Sequence, residues 1–379
     1  MLAFRLAAIV VGVTGAVSLG FAQFKAEAQL DALYDDNIFN TSYKISDKVL
    51  LGSLGLGVDI GSDRSNLQLY YTGLFSYFTT VTERTFSYHS TGIEYSLISG
   101  QREQTLVSAG ALYNLRSNRE PYTYYDFGQF GLYANVKHDF STVIRGRTGY
   151  NLRIFDFREL SEFNYLEHYA FGQLTFVLGS RTTLILEADL GSKQYTTAIT
   201  QVDSFGMGMG SRSVTESRIV PRVTQFVGIV RIGQGLTEST GLSATGMILQ
   251  DIEKQNTYLS SDYGYISDDE VFDDHYAYQG QQLDVVVTQL LTENMTLKAL
   301  AGYQHRQYPG WGVTDVAGAV IADDRLDNRT SFSLRLSHYL ESLDGELYLD
   351  WIRILNDSND PYFDYTNTVL SIGLAVPLK

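Results

Sequence analysis

The stretch "QFKAEAQLDALYDDNIFN", residues 23–40, begins with a strict alternation. Phe24, Ala26, Ala28, Leu30, Ala32 and Tyr34 are small or apolar, and Lys25, Glu27, Gln29 and Asp31 stand between them. The pattern then breaks into Asp35-Asp36-Asn37. A period of two marks a β-strand whose two faces meet different media. In a soluble sandwich the apolar face is core and the polar face is surface. In a membrane barrel the roles swap, with apolar side chains toward lipid and polar ones toward water. One strand does not choose between these, so the choice falls to the rest of the chain.

Upstream, "MLAFRLAAIVVGVTGAVSLGFA" carries one Arg, then an apolar run, then the small residues Gly20 and Ala22. This reads as a secretory signal peptide, residues 1–22, with a single mature domain over 23–379. The apolar run is shorter than the ~20 residues of a spanning helix, and strand patterning follows at once. No later apolar run approaches that length, so the mature chain meets a membrane as strands or not at all.

Composition points the same way. There is no Cys, so neither disulfides nor thiolate metal sites hold the chain, and a closed ladder of strand hydrogen bonds is another means. The net charge of -15 argues against a nucleic-acid partner. Only 5 Pro interrupt the chain, which suits long ladders. Tyr outnumbers Trp 27 to 2, and Gly reaches 34.

Sixteen alternating segments can be laid down, with apolar sets at 24–34, 50–60, 67–77, 93–97, 107–115, 130–136, 144–154, 166–178, 184–190, 226–232, 242–248, 283–287, 297–303, 332–336, 347–351 and 370–376. Connections after even segments are tight, as in "GSDRS" and "SLDGE". Those after odd segments are long: 35–46, 197–216, 251–275 and 308–328. The expectation is an all-β, antiparallel transmembrane β-barrel of about 16 strands in a Gram-negative outer membrane, with short periplasmic turns and long extracellular loops. A chain of this length ordinarily suggests two or three domains. No linker or composition shift appears, and one continuous barrel explains that.

"LYDDNIF" at residues 33–39 closes the first strand and resembles the β-barrel porin 2 family of Gram-negative outer-membrane proteins. The residues carrying the resemblance are Tyr34, Asp35, Asp36, Asn37, Ile38 and Phe39, with Leu33 before them. The resemblance implies an outer-membrane pore beside machinery for exopolysaccharide synthesis and export. It implies outer-membrane lipid, the barrel-assembly machinery and periplasmic polysaccharide-export components as partners. One departure is that such barrels usually finish on an aromatic residue read by the assembly machinery, whereas this chain ends "LSIGLAVPLK".

If the apolar set faces lipid, the alternate residues face the lumen. The candidate pore-lining residues are Arg145, Arg147, Arg153, Glu187, Asp189, Lys193, Lys298 and Arg306. Charges facing hydrocarbon cost about 2–4 kcal/mol at mid-depth, so their common register supports the assignment. Arg145, Arg147 and Arg153 would form one basic wall near acidic Glu187 and Asp189, a field that orients polar solutes. The alternative is interstrand ion pairs filling the lumen, for example Arg153 with Glu167. Inward Tyr70, Tyr133, Tyr169 and Tyr278 would stack sugars or simply pack, and "PYTYYDF" at 121–127 reads as outer girdle.

Three loops stand out. Residues 260–275 are acidic, suited to Ca²⁺ or to plain solvation, and lack ordered EF-hand spacing. "GMGMGS" at 206–211 would constrict the lumen or lie outside it, and residues 309–320 would cap the pore or meet a partner. No nucleophile motif or metal spacing is found, and Asp274-His275 is the one adjacent acid–base pair of interest. The expectation is no enzyme, no metal and no cofactor. The function expected is passage of polar solutes, most of all exopolysaccharide export, with a general diffusion porin or a plugged structural barrel as alternatives.

Overall fold

A computed structural model describes residues 22–100, 104–197, 199–207, 211–219, 222–254, 275–314 and 320–378. Nine strands run in sequence: β1 (Ala22–Asp35), β2 (Asp47–Gly61), β3 (Ser65–Phe78), β4 (Phe86–Ser99), β5 (Thr105–Asn118), β6 (Phe127–Asp139), β7 (Ile144–Phe157), β8 (Tyr165–Leu178) and β9 (Thr182–Tyr195). A hairpin, β10 (Ile199–Met207) with β11 (Ser211–Ile219), follows. The wall resumes with β12 (Arg222–Gly235), β13 (Thr240–Lys254), β14 (Gln279–Thr292) and β15 (Met295–Tyr308). A short pair, β16 (Val313–Thr314) with β17 (Val320–Ala322), precedes β18 (Arg325–Leu340), β19 (Gly345–Ser358) and β20 (Tyr365–Pro377).

Sixteen of these close a barrel in which each strand pairs antiparallel with its neighbour. The strand read first is also the seam: β1 pairs with β2 along its length and with β20 from Glu27↔Pro377 to Asp35↔Val369. All sixteen segments read from alternation are wall strands. The 197–216 connection differs from the expected open loop, because it holds the β10–β11 hairpin. The 308–328 connection is shorter than expected, because β18 starts at Arg325. β1 begins at Ala22, and the rest of the expected leader lies outside the described residues.

Burial is inverted relative to a soluble protein. Leu30, Leu50, Phe75, Ile93, Leu132 and Leu283 point outward and stay exposed. A continuous apolar belt of this kind is stable only with lipid around it. On the same face Tyr hydroxyls meet His rings, Tyr71 with His89 Nδ1 at 2.8 Å and Tyr150 with His168 Nδ1 at 2.6 Å.

The many Gly and Tyr belong together. On the inner face Tyr133 of β6 lies flat across Gly110 of β5, and its hydroxyl donates to Glu94 Oε2 of β4 at 2.6 Å. Register puts the three in one row. The seam repeats the arrangement: Tyr348 of β19 crosses Gly373 of β20 and donates to Asp31 Oδ1 of β1. A side chain at either glycine would occupy the ring's place, so glycine is what lets one tyrosine tie three strands.

The buried apolar residues gather at one end. Ile38, Val49 and Phe78 form one cluster. Phe127, Phe155, Phe157, Leu160, Phe163, Tyr165 and Tyr195 form a second. Val227, Leu249, Tyr278, Tyr308, Trp311 and Phe363 form a third. All lie at the end that carries the longer connections, which the turn-and-loop rule places outside the cell.

Candidate functional site

The inner face has two zones. Toward the tight turns it is polar and open. Arg335 forms a two-pronged pair with Asp350 at 2.6 Å, Arg231 Nε donates to Thr245 Oγ1 at 3.1 Å, and Lys298 is exposed. Toward the loops the wall is lined by the aromatic clusters, and connections fold in over it.

The expected pore-lining residues are all on the inner register, but they do not make one basic wall. Arg145 sits at the turn end of β7 and pairs with Asp139 at 2.5 Å. Arg153, eight residues and so ~26 Å further along a strand, pairs with Glu167 at 2.5 Å. Arg147 between them lies over the Phe171 ring, 5.2 Å from its centre, and meets no carboxylate among the described residues. Glu187 accepts from Gln173 Nε2, and Asp189 is buried against the Tyr169 hydroxyl. Lys193 is buried with its Nζ over the rings of Tyr165, at 4.2 Å, and Tyr195, at 4.8 Å. Arg306 lies over Tyr278 at 4.5 Å. Lys298 faces the open zone. Cross-strand pairing therefore splits the expected transverse field: Arg145, Arg153 and Glu187 are taken up by neighbours on the adjacent strand or turn, while Arg147 and Lys298 stay exposed.

The residues that carried the family resemblance have a structural job at the seam. Asp36 Oδ1 accepts from Thr368 N at 2.6 Å, and its Oδ2 is 3.9 Å from Arg353. Asn37 is fully buried and donates to Thr41 O at 2.7 Å and Thr366 O at 3.2 Å. Asp35 Oδ1 accepts from Asn37 N at 2.8 Å, and Tyr34 points outward. These bonds turn the chain inward, which buries Ile38 and lays Phe39 beneath Arg84.

Alternation did not reveal what the loops do. Arg84, on a short turn at Thr82–Arg84, reaches Ile38 O with Nη1. Burial draws its guanidinium below the usual arginine value, and Tyr125, Tyr122, Asp35 and Tyr124 oppose that. Tyr122–Tyr125 form a turn whose rings pack on one another, 4.2 Å between the centres of Tyr124 and Tyr125. This stretch, expected in the outer girdle, instead leans over the mouth, and burial pushes the Tyr125 hydroxyl upward. Tyr276, just before β14, reaches past β13 and β12 to β9 and β8, where it donates to Glu167 Oε1 at 2.9 Å with its ring against Gly191. Trp311 folds in beside Phe363 and Arg325. Arg325, buried, pairs with Asp327 at 2.6 Å beneath the Phe363 ring, 3.3 Å from its centre. The acidic stretch to Asp274 and the tip of "GMGMGS" lie outside the described residues. His275 is described and stacks on Tyr276 at 4.3 Å.

No family model matches the chain, and no curated protein does. Solved structures do. Acinetobacter baumannii OccAB1 superposes with a TM-score of 0.54 at 10% identity, covering 94% of this chain and 96% of that one. The copper transporter OprC gives 0.50 at 15% identity over 90% of this chain and 64% of its own. Outer-membrane expressed OmpT of Vibrio cholerae gives 0.49 at 13% identity over 94% and 97%. At these identities the likeness is one of fold. With the closed sixteen-strand wall and its apolar belt, the superposition on OccAB1 makes this protein an outer-membrane β-barrel.

Proposed function

We propose that the protein is a passive outer-membrane pore for polar solutes, and that the solute is an exopolysaccharide leaving the cell. The first part is supported by the charged zone of the inner face, where Arg147 and Lys298 are exposed inside a barrel whose outer face is apolar. Sixteen strands are wide enough for an aqueous channel. The second part is supported by the resemblance of residues 33–39 to the β-barrel porin 2 family. On this reading the barrel does no chemistry. It lines a path that replaces part of a solute's hydration without holding it tightly.

A second reading has an observation of its own. Three aromatic clusters and the inward loops at Trp311, Phe363 and Tyr276 occupy the mouth, which suits a plugged scaffold. Single-channel recording of the refolded protein separates the two. Steady conductance, with ion selectivity altered in an Arg145/Arg147/Arg153→Ala variant, supports the pore. A silent bilayer from a heat-modifiable barrel removes it and leaves the scaffold.

A further inference from the structure

The upper rims of β3 to β6 enclose two arginines that the wall leaves without anions. Arg84 lies over Phe39, 4.5 Å from the ring centre, and over Phe78 at 5.4 Å. Arg116, on the inner face of β5, lies over Phe86 at 4.1 Å, with Tyr88 and Phe127 as its partners across the neighbouring strands. Each guanidinium has five N–H donors. Among the described residues, Arg84 gives one bond, to Ile38 O, and Arg116 one, to Asn118 Oδ1 at 3.3 Å. Among the described residues neither forms an ion pair.

Four other inner-face arginines, Arg145, Arg153, Arg325 and Arg335, each hold a carboxylate, whereas Arg147 also lies over a ring without one, but alone. Three carboxylates lie near: Glu83, beside Arg84 in its turn, is exposed to solvent, and the other two are turned to other donors. Asp35 accepts from Asn37 N, and Asp126 accepts from Asn118 N at 2.6 Å, Asn118 Nδ2 at 2.9 Å and Arg158 Nη1 at 3.4 Å. Arg84 and Arg116 are also close enough for their charges to oppose each other. Partly burying two like charges without counter-ions is unfavourable, and an incoming anion relieves it. Beside them stand Tyr122, Tyr124 and Tyr125, with ring centres 4.2 to 6.1 Å apart. All five side chains are half-buried, so they are reachable from the mouth.

We propose that this mouth is a binding site for an acidic oligosaccharide, a chain of carboxylated sugar rings. The guanidinium groups take the carboxylates as charge-assisted, two-pronged pairs, and the tyrosine faces take the apolar faces of the rings. A small inorganic anion needs no aromatic platform. A lipid headgroup is separated from this face by the barrel wall. Four strands at ~4.8 Å spacing give the rim a width of ~14 Å, longer than a single ring. The proposal rests on the pore reading for its purpose, since it names the class of polymer that the mouth would engage.

The test is calorimetric titration of the full barrel in detergent with tetragalacturonate and with its methyl ester, which keeps the rings and removes the charges. The acid is expected to bind, and the ester to bind about tenfold or more weakly. Arg84→Gln and Arg116→Gln, each checked for heat-modifiable migration, are expected to lose about tenfold in affinity for the acid. Equal binding of acid and ester by the wild-type barrel overturns the proposal without relying on any variant. So does the absence of binding by a folded wild type. A barrel that conducts but ignores the tetramer keeps the pore reading and loses this one. A barrel that binds the tetramer but stays silent in a bilayer keeps the site and loses the pore.

Discussion

At the scale of single residues, the glycine rows make a prediction whose sign runs against habit. Exchanging a strand glycine for alanine ordinarily stabilises by about 0.4–1 kcal/mol, by restricting the unfolded chain. At Gly110 a Cβ would meet the Tyr133 ring and push its hydroxyl off Glu94. Gly110→Ala is therefore expected to destabilise, by about 1–3 kcal/mol for a bond to a charged acceptor. Gly233, on the same inner face with open space around its Cβ position, is expected to accept alanine without loss. Denaturant unfolding in lipid vesicles would compare the two, and equal effects would sink the account. Glu167 offers a second case. It is 2% exposed and meets both Arg153 and the Tyr276 hydroxyl. Arg153→Ala leaves a buried carboxylate with one weak partner and is expected to cost up to about 3–5 kcal/mol. Because Arg153 is itself partly exposed, the lower end is the better expectation. Glu167→Gln in the same background should restore part of the loss. Of these features, the Arg153–Glu167 pair was legible, because hairpin register follows from two adjacent strands. The glycine rows were not, since each needs three strands whose mutual register no local pattern shows.

At the scale of elements, the strands were readable because lipid imposes a rule on their outward face. Outward positions are mostly apolar, with the polar ones tied to neighbours, as His89 is to Tyr71 and His168 to Tyr150, and sixteen segments carry the stripe. The expected cost of breaking the rule is about 2–4 kcal/mol for Arg at mid-depth. Leu132→Arg, outward on β6, should show it in vesicle unfolding. Asn151→Arg, inward on β7 at nearly the same depth, should not. Similar costs at both sites would mean that the faces are assigned wrongly. The connections follow no such rule, and what folds them is specific bonding. Asp47 shows this: its carboxylate accepts from Lys48 N, Thr79 N, Thr79 Oγ1, Thr80 N and Val81 N at 2.7 to 3.1 Å. That bonding delivers the turn bearing Arg84 to the mouth. Asp47→Ala should make residues 79–85 newly sensitive to added protease while leaving the barrel heat-modifiable. From sequence, an Asp before a strand says only that the strand begins there. The β10–β11 hairpin escaped for a related reason, because its pairing depends on register rather than on a lipid-facing stripe.

At the scale of the whole molecule, the barrel joins a charged inner face near the tight turns to aromatic clusters near the loops, and the proposed pore reading turns on which of the two limits flow. The third cluster is where this can be decided. Phe363 is fully buried, its carbonyl held by Asn356 Nδ2 at 2.7 Å, and its ring meets Trp311 and covers Arg325. It thus fastens two connections, the one carrying Trp311 and its own, against the inner wall. Phe363→Ala removes that fastening at a cost of about 3–5 kcal/mol, typical of a buried aromatic. That loss is spread over the loop end and leaves the strand ladder intact. If the mouth limits flow, the variant should show a larger unitary conductance and a noisier open level than the wild type. If conductance stays at the wild-type value while the unfolding cost appears, the cluster lies beside the path. The limiting section then lies elsewhere, with the rim at Arg84 and Arg116 the next place to narrow or widen.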